Sequence, residues 1–467
     1  MLTQIPPIAR TTFIESVRQP VYFVLVMLGG LGILMVTWST GFSLGYTEDG
    51  EVSGDDKLLL DVGMATVFLV GTLLAGFIAT SAVSREIENK TVLTVVSKPV
   101  PRAAVVLGKY VGVASAIAVA VVITQLFLLL AVQHGVQTAV WNKLDLPVIV
   151  FTFSALGLAM GAGVWGNFFY GWNFTQTTTL TLLPLIALAY ALSLLFDKQW
   201  ALHPIAKDIK PLTSAAQGVL LLGIMVMTAI AVAASTRLGQ VMTIVVCFGV
   251  LVLGMASSAL VGRYAFDNRP IGQVLTAESL SSGGVGFQSP GAEYRLTLDG
   301  APSRVIRPGS AIYYGPNPNG FNMPVPPFAD PADEPGAPGG SGPAAGAGTG
   351  PAGGPAAEPV GGAIVAVEYD ADAFALRIRH EGPPAVAIAR PPMAKDFVFD
   401  RATAVNPAAL IVWGLVPNLQ FFWLLDAVNQ NHAPPAGHYA LIALYSLTQT
   451  AMALALAVLL FQGRDVG

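Results

Sequence analysis

The chain has 467 residues, of which 54% are hydrophobic and 11% are charged, and its mean hydropathy is +0.63. Soluble globular domains carry roughly 25% charged residues, so this composition excludes a cytosolic enzyme, a disordered chain and a nucleic-acid-binding protein. The single cysteine, Cys247, excludes an internal disulfide and a cysteine-built metal site, and the net charge of −4 provides no basic field for a polyanion.

The first 20 residues predict a short amphipathic helix in the membrane interface rather than a cleaved signal peptide. The segment mixes apolar and charged residues: Ile8, Arg10, Phe13, Ile14, Glu15, Val17 and Arg18. Pro20 is expected to end this helix before the chain enters the bilayer. A frayed cytosolic tail is the alternative.

Eight apolar stretches are long enough to cross about 30 Å of hydrocarbon. The predicted spans are residues 21–42, 62–83, 110–132, 147–166, 177–196, 212–235, 240–261 and 439–461. The fourth and fifth come from the uncharged stretch 147–196, with residues 167–177 as the turn. The sequence therefore predicts an all-α polytopic membrane protein with about eight transmembrane helices, and with residues 21–261 as most of its transmembrane domain.

Basic residues in short loops orient the chain, because cytoplasmic loops carry an excess of Lys and Arg. The N-terminal segment carries Arg10 and Arg18, the loop 84–109 carries five basic residues, and the loop between the first two spans carries one. The N-terminus and the loop 84–109 are therefore expected in the cytoplasm. The loop 197–211 is an exception, since it carries three lysines and the span count places it outside.

Residues 262–405 predict a soluble insertion with a small β-rich fold. Strand-like segments occur at residues 294–298, 311–314, 363–369 and 374–380, and a flexible Gly/Pro/Ala-rich linker, residues 330–362, divides them. Seven predicted spans precede the insertion, so it is expected on the extracytoplasmic side.

The segment 406–430 decides where the C-terminus lies. Pro417 interrupts its apolar run, which is typical of two half-helices in a re-entrant element. With a re-entrant segment here and a last span at 439–461, the C-terminus is cytoplasmic. The alternative is a ninth full span, with the C-terminus outside.

The sequence lacks motifs for ATP hydrolysis, metal binding and ion coupling. It has no G-x-x-x-x-G-K-[ST] loop, its histidines form no i, i+4 pair, and we predict no catalytic residue, metal ion or cofactor. The predicted spans carry almost no charge, which disfavours an ion-coupled transporter. Asp61 and Lys109 are expected at span ends, where snorkelling or solvation costs little. We interpret Gly157, Gly161 and Gly163 as helix-packing residues.

The loop 84–109 has the composition of a docking element. It begins with the alternating charges of SREIENK, continues through the apolar TVLTVVS and the rigid KPVPR, and ends in LGKY. A short amphipathic helix along the inner membrane surface would bury the apolar part and leave the charges available to a soluble partner. A positive-inside loop without a partner is the alternative.

This loop resembles that of the permease subunits of ATP-binding-cassette (ABC) transporters of the type-2 exporter class. The family pattern S-x-E-x-E-x-x-T…S-x-P-x-x-R…x-G-K falls on Ser84, Glu86, Glu88, Thr91, Ser97, Pro99, Arg102, Gly108 and Lys109. Residues 231–254 are similar to the family's fourth and fifth spans, and residues 415–428 to its re-entrant segment. The family usually has six spans, so the hairpin 147–196 and the insertion 262–405 are departures.

The resemblance implies that the loop 84–109 docks on a separate ABC ATPase subunit and transmits its closure. The ATPase-coupling residues that it implies are Arg85, Glu86, Glu88, Lys90, Thr91 and Arg102. It also implies a second permease copy or homologue, a cytoplasmic-membrane location in contact with lipid, and export of a substrate. The alternative in the same architecture is a transmission protein that moves residues 262–405 without transport. A secondary transporter and a passive anchor explain the sequence less well.

Overall fold

In a computed structural model of the chain, the described residues are 2–39, 53–84, 101–136, 144–202, 204–205, 208–267, 269–280, 291–315, 364–381, 391–401, 404–425, 428, 434 and 436–462. They divide into two compact units. The first combines Met1–Ala256 with Pro417–Gly467, and the second is Ser257–Val416. The predicted linker 330–362 lies outside the described residues.

The described helices are, in chain order, α1 (Ile5–Val17), α2 (Pro20–Ser39), α3 (Ser53–Ala82), α4 (Arg102–His134), α5 (Leu146–Tyr170), α6 (Phe174–Ser193), α7 (Pro211–Ser235), α8 (Gln240–Met255), α9 (Arg263–Ala265), α10 (Pro407–Leu415) and α11 (Ala436–Gln462). A π-helical turn, Ser258–Gly262, precedes α9, and two short 3-10 helices occur at Leu2–Gln4 and Leu419–Phe422.

Seven of the described helices, α2 to α7 and α11, are long and apolar enough to cross a membrane. The number is eight if α8 and the segment Ser258–Ala265 form one broken span. At 1.5 Å per residue, the 16 residues of α8 extend about 24 Å, which is less than the hydrocarbon thickness. The prediction of a mostly helical protein with about eight apolar helices is confirmed.

The centre of the first unit is formed by α3, α4 and α7. In each of these helices 67% of the most apolar stretch is buried, compared with 28–33% in α2, α5, α6 and α11. Met64 of α3 and Phe127 of α4 are fully buried there. Tyr22 of α2 packs against this centre, where its hydroxyl donates a 2.7 Å hydrogen bond to the Ala116 carbonyl oxygen. The peripheral helices keep apolar faces exposed, as expected where lipid is the solvent.

The helices α5 and α6 form a tight hairpin. Asn173 begins α6 by accepting a 3.0 Å hydrogen bond from the Gln176 backbone N–H. Packing of the hairpin depends on Gly163, because a Cβ there would lie 1.9 Å from Thr178 Oγ1. A Cβ at Gly157 or Gly161 would meet no atom within 4 Å. Of the three glycines predicted to mediate packing, only Gly163 therefore contacts another helix within the described part of the chain.

The second unit contains eight described strands: β1 (Phe266–Asp267), β2 (Gly272–Ser279), β3 (Glu293–Leu298), β4 (Tyr313–Gly315), β5 (Ile364–Asp370), β6 (Ala375–His380), β7 (Phe397–Phe399) and β8 (Ala404–Val405). β1 pairs with β8. The other six form an antiparallel sheet in the order β4-β7-β2-β3-β6-β5. The predicted β-rich part is confirmed, with its four strands as β3 to β6; β1, β2, β7 and β8 were not predicted.

This sheet curls until its two ends approach each other. Residues 309–312 pair with β5, as the 2.9 Å hydrogen bond from the Ile312 N–H to the Ile364 carbonyl oxygen illustrates. The same chain segment then continues into β4, which pairs with β7. The core inside the curve consists of aliphatic side chains that include Val274, Leu296, Ile312, Leu376, Ile378 and Val398. A curled sheet leaves little unpaired edge.

The segment predicted to be re-entrant is broken at the expected proline. α10 follows its N-cap Asn406, and the backbone becomes extended at Val416, next to Pro417. In the first unit, the following Asn418 N–H donates a 2.8 Å hydrogen bond to the Tyr445 hydroxyl of α11. Leu419 packs beneath Gly254 of α8. Whether residues 406–430 cross or re-enter the membrane stays a prediction.

Candidate ATPase-coupling site

The predicted coupling residues lie between α3 and α4. Arg85, Glu86, Glu88, Lys90 and Thr91 fall outside the described residues. The structure describes the two ends of the loop, at residues 84 and 101, and the sixth predicted residue, Arg102. The geometry of the site therefore rests on where the loop leaves α3 and where it joins α4.

The second end of the loop is set by proline. Pro101 has an extended backbone and precedes α4, and its carbonyl oxygen accepts a 2.8 Å hydrogen bond from the Ala104 N–H. The helix thus starts at Arg102, eight residues before the predicted span. With 33 residues α4 extends about 50 Å, roughly 20 Å more than the hydrocarbon thickness. We call residues 102–112, its first three turns, the α4 root.

Lys109 in the α4 root binds the C-terminal end of α3. Its Nζ donates a 2.5 Å hydrogen bond to the carbonyl oxygen of Ala82, the last residue of α3, and Lys109 is only 8% exposed. The last carbonyl groups of a helix lack intrahelical donors and carry partial negative charge. A lysine ammonium supplies both a hydrogen-bond donor and a positive charge. Lys109 was expected at a span end where snorkelling or solvation costs little; it is instead buried, and α3 supplies its acceptor. Asp61 is exposed, as expected.

The surroundings of the Lys109 ammonium are mostly apolar. Residues from α4, α7, α11 and the end of α3 line a small gap beside it: Val83, Val105, Val106, Val232, Thr236 and Phe461. A charge in such surroundings is stable only when its donors are hydrogen-bonded, which explains why its contact with Ala82 matters.

Arg102 makes a second contact of the same kind. Its Nη1 donates a 2.7 Å hydrogen bond to the carbonyl oxygen of Gln462, the last residue of α11. This contact is solvent-exposed, so screening makes it weaker than that of Lys109. Two basic side chains of the α4 root thus hold the C-terminal ends of two other helices.

The α4 root also contacts α1, through two glycines. A Cβ at Gly108 would lie 2.8 Å from the Ile8 Cβ, and a Cβ at Gly112 would lie 2.6 Å from both the Ala9 carbonyl oxygen and the Thr12 Cβ. Glycines four residues apart lie on one helix face and let two backbones approach closely. Gly112 was not singled out from the sequence, although its spacing from Gly108 was a usable signal.

The face of α1 that meets the α4 root includes the small residues Ala9 and Thr12 beside Ile8. Ala9, Thr12 and Ser16 are buried together with Val17, whereas the larger Ile8, Phe13 and Ile14 are only partly buried. The charged residues Arg10, Glu15 and Arg18 are exposed. The predicted segment is therefore helical, and its small residues and Val17 are more completely buried than Ile8, Phe13 and Ile14.

These observations define a multi-pass membrane protein in which one helix end, the α4 root, contacts α1, α3 and α11. Residues 7–165 match the family model described as ABC-2 family transporter protein. The match runs from α1 into α5 and includes both ends of the loop 84–109. It supports a permease subunit of an ABC transporter, and the resemblance inferred from the sequence is confirmed.

Two further properties are typical of this family. ABC-2 permeases are membrane subunits that are generally not catalytic themselves, and they imply partnership with an ABC ATPase subunit. Searches of curated proteins and of solved structures found no significant match.

Proposed function

We propose that the chain couples ATP hydrolysis by a separate ATPase subunit to export of a substrate across the cytoplasmic membrane. The ATPase docks on the loop 84–109, and closure of its dimer displaces this loop. The observation that carries the proposal is the set of contacts made by the α4 root, which joins the end of the loop to three other helices.

The hydrogen bond from Lys109 to Ala82 supports joint movement of α3 and α4. Ala82 lies just before the loop, and Lys109 lies at its end, so the bond connects the two helices that carry the loop. A force on the loop then moves both helices together rather than spreading them. Hydrogen bonds to charged groups contribute about 1.5–3 kcal/mol, enough to keep the pair joined in most molecules.

Close packing supports the next step, from the α4 root to α1 and α11. Packed interfaces transmit displacement because they have little free volume in which to deform. Displacement of Gly108 and Gly112 would carry α1 with it, and Arg102 would carry the end of α11. The proposed output is a movement of several helices relative to the remainder of the first unit.

The transport path is proposed to lie between two permease copies. The central helices α3, α4 and α7 are densely packed within one copy, which favours a path outside this core. A second copy or a homologue would complete it, and the small and aromatic residues of the spans suit an amphipathic or lipid-like substrate. In this proposal the N- and C-termini and the loop 84–109 are cytoplasmic, and residues 262–405 are extracytoplasmic.

A transmission protein is the second candidate, and the compact second unit favours it. The curled sheet of residues 257–416 has its own aliphatic core and is suited to act as a body that the helices move. In that case ATP would drive a movement of the second unit, which would act on a periplasmic partner, and no substrate would cross the membrane.

Reconstitution separates the two candidates. The chain is co-expressed with its cognate ATPase, purified as a complex and placed in lipid vesicles with a panel of amphipathic substrates. Export predicts ATP-dependent movement of a substrate, which a variant ATPase that binds but does not hydrolyse ATP abolishes. ATP-dependent movement of the second unit, without transport, would support the transmission protein instead. ATP hydrolysis by the purified chain alone would contradict both.

A further inference from the structure

A cluster of aromatic side chains lies exposed at the turn between α5 and α6. Trp165, Phe168, Phe169, Tyr170 and Trp172 are each between 55% and 80% exposed. A cluster of this size would promote aggregation in water, so it needs surroundings that accept both apolar rings and polar ring atoms.

The cluster is held in a defined arrangement. The Asn167 side-chain amide donates a 2.7 Å hydrogen bond to the Trp172 carbonyl oxygen, and the Trp172 ring lies over Gly166. Gly171 takes the left-handed conformation, with a φ of 66°, which ends α5 and starts the turn. Ring centroids are 4.1 Å apart for Trp165 and Phe169, and 5.2 Å apart for Tyr170 and Trp172. The aromatic surface is therefore preorganised.

Helix length indicates where this surface lies in the bilayer. The 25 residues of α5 extend about 37 Å, roughly 7 Å more than the hydrocarbon core, and the 20 residues of α6 extend about 30 Å. The charged Asp145 marks the other end of α5, and no charged residue occurs between 147 and 196. The last turn of α5 thus falls at the level where acyl chains meet headgroups, and Trp and Tyr are enriched there.

The turn lies beside the corner between α1 and α2. The Thr175 hydroxyl donates a 2.8 Å hydrogen bond to the Arg18 carbonyl oxygen, and Arg18 Nε donates a 2.7 Å hydrogen bond to Gln176 Oε1. The Phe23 and Phe174 rings meet edge to face at 5.4 Å. Arg18 is exposed; the acid on its own helix, Glu15, is exposed as well, and the hairpin brings no acid to it.

We infer that the α5–α6 turn is a second interfacial anchor beside α1, and that its partner is the phospholipid headgroup layer. The aromatic rings lie between headgroups and acyl chains, and the Nη groups of the Arg18 guanidinium bind phosphate oxygens, which match its planar donors. The anchor fixes the corner where the chain enters the membrane, and it does not depend on the proposed export activity.

Depth-dependent fluorescence quenching tests the position of Trp172. The full-length protein and its Trp172→Phe variant are placed in bilayers with bromine atoms either near the headgroup or near the acyl-chain end, and the difference gives the Trp172 contribution. We expect about twofold or greater quenching by shallow over deep bromine, with little quenching by aqueous acrylamide. Stronger quenching by acrylamide than by either lipid, or by deep bromine, would overturn the inference.

The role of Arg18 is tested by thermal unfolding in nanodiscs of phosphatidylcholine or phosphatidylglycerol. The wild-type protein should unfold at a higher temperature in the anionic lipid, and Arg18→Gln should lose a large part of that gain. Arg237→Gln, which removes an exposed arginine from another turn, is the matched control and should retain it. Equal losses in the two variants would overturn the assignment of Arg18 to the headgroup contact.

Discussion

Lys109 Nζ lies 2.5 Å from the carbonyl oxygen of Ala82, so a side chain from the start of α4 caps the end of α3. Ala82 precedes the predicted coupling loop and Lys109 is its last residue, and the middle of the loop lies outside the described residues. This hydrogen bond joins the two helices between which the loop runs. It can be removed by a substitution at Lys109 while the residues that are expected to dock the ATPase stay unchanged, so its mechanical role can be tested separately.

Replacing Lys109 with methionine should remove the hydrogen bond to Ala82 while keeping the size and apolar stem of the side chain. A hydrogen bond to a charged group contributes about 1.5–3 kcal/mol, and its loss also leaves the Ala82 carbonyl without this partner. We expect a clearly lower unfolding temperature and weaker coupling of ATP hydrolysis to movement or transport. Lys198→Met, at an exposed site, should stay within about 0.5 kcal/mol of the wild type. Equal stability of the two variants would contradict the capping role.

Replacing Gly112 with alanine should push α1 away from the α4 root. The new Cβ would lie 2.6 Å from the backbone oxygen of Ala9, so a backbone must move, at a cost of about 1–3 kcal/mol. Gly157→Ala is the matched control, because its Cβ meets no atom within 4 Å and alanine favours a helix by about 1 kcal/mol over glycine. Thermal unfolding in detergent should therefore shift in opposite directions for the two variants.

Hydropathy located the helices but not their ends. Each of the eight predicted spans falls on a described helix, since burial in hydrocarbon requires a long apolar run. α3 nevertheless begins at Ser53 and α4 at Arg102, well before the predicted spans, because hydropathy follows the hydrocarbon layer and a helix continues beyond it. The Lys109 contact was not predictable, since every residue offers a carbonyl group and the sequence does not mark which one a lysine meets.

In the β-rich part, local alternation of side chains predicted individual strands but not which distant segments pair. Alternating side chains in the sequence predicted β5 and β6. In β6 the residues Leu376, Ile378 and His380 form one buried face, whereas β5 buries its first three residues in a row, beside a bulge. β2 was missed because it buries only Val274 and lacks that alternation. The three-residue β7 is too short to show a pattern of its own, whereas β4, of equal length, was predicted together with the two residues before it. The pairing of residues 309–312 with β5 joins segments about fifty positions apart, which no local pattern reports.

Reporter fusions should test the orientation in the membrane. A reporter that is active only in the cytoplasm should be active when fused after Gly467 and inactive when fused near Gly346. The reason is that seven predicted spans precede residues 262–405 and that the segment around Pro417 is broken. Activity at Gly346 would show that the span count is wrong. Inactivity at both sites would indicate that residues 406–430 cross the membrane completely.

Asp145 should make stability depend on pH. It is 3% exposed and caps α5 by accepting a 3.2 Å hydrogen bond from the Val148 N–H, and burial raises the pKa of its carboxyl group above the ordinary value. The native state therefore holds this proton more tightly than the unfolded state. Its stabilising effect is complete below the unfolded pKa of about 3.9 and is lost as the pH rises through the native pKa.

The variant Asp145→Asn isolates this titration, because asparagine caps helices about as well as aspartate. Unfolding temperatures measured from pH 4 upward should fall less in this variant than in the wild type, and the variant should be the more stable one at neutral pH. Asp145→Ala should lose the same pH dependence and should be about 1 kcal/mol less stable than Asp145→Asn at every pH, since it also removes the cap. A wild-type pH dependence in Asp145→Asn would assign the effect to another group.

Glu86 and Glu88 should separate a docking loop from a simple tether. They are two residues apart, so on a helix they point to different sides, and Glu88 lies three residues from Arg85, within pairing distance. Removing one partner of a buried interfacial charge pair costs about 2–5 kcal/mol, so at least one of Glu86→Ala and Glu88→Ala should strongly weaken ATPase binding and coupled turnover, with folding unchanged.

The control substitutions are Glu48→Ala and Glu51→Ala, in the acidic loop after the first predicted span. Binding assays with the purified ATPase and hydrolysis by the complex give the readout. If both inner variants bind and turn over at wild-type levels, the loop 84–109 only tethers α3 to α4, and force must reach the helices at another surface.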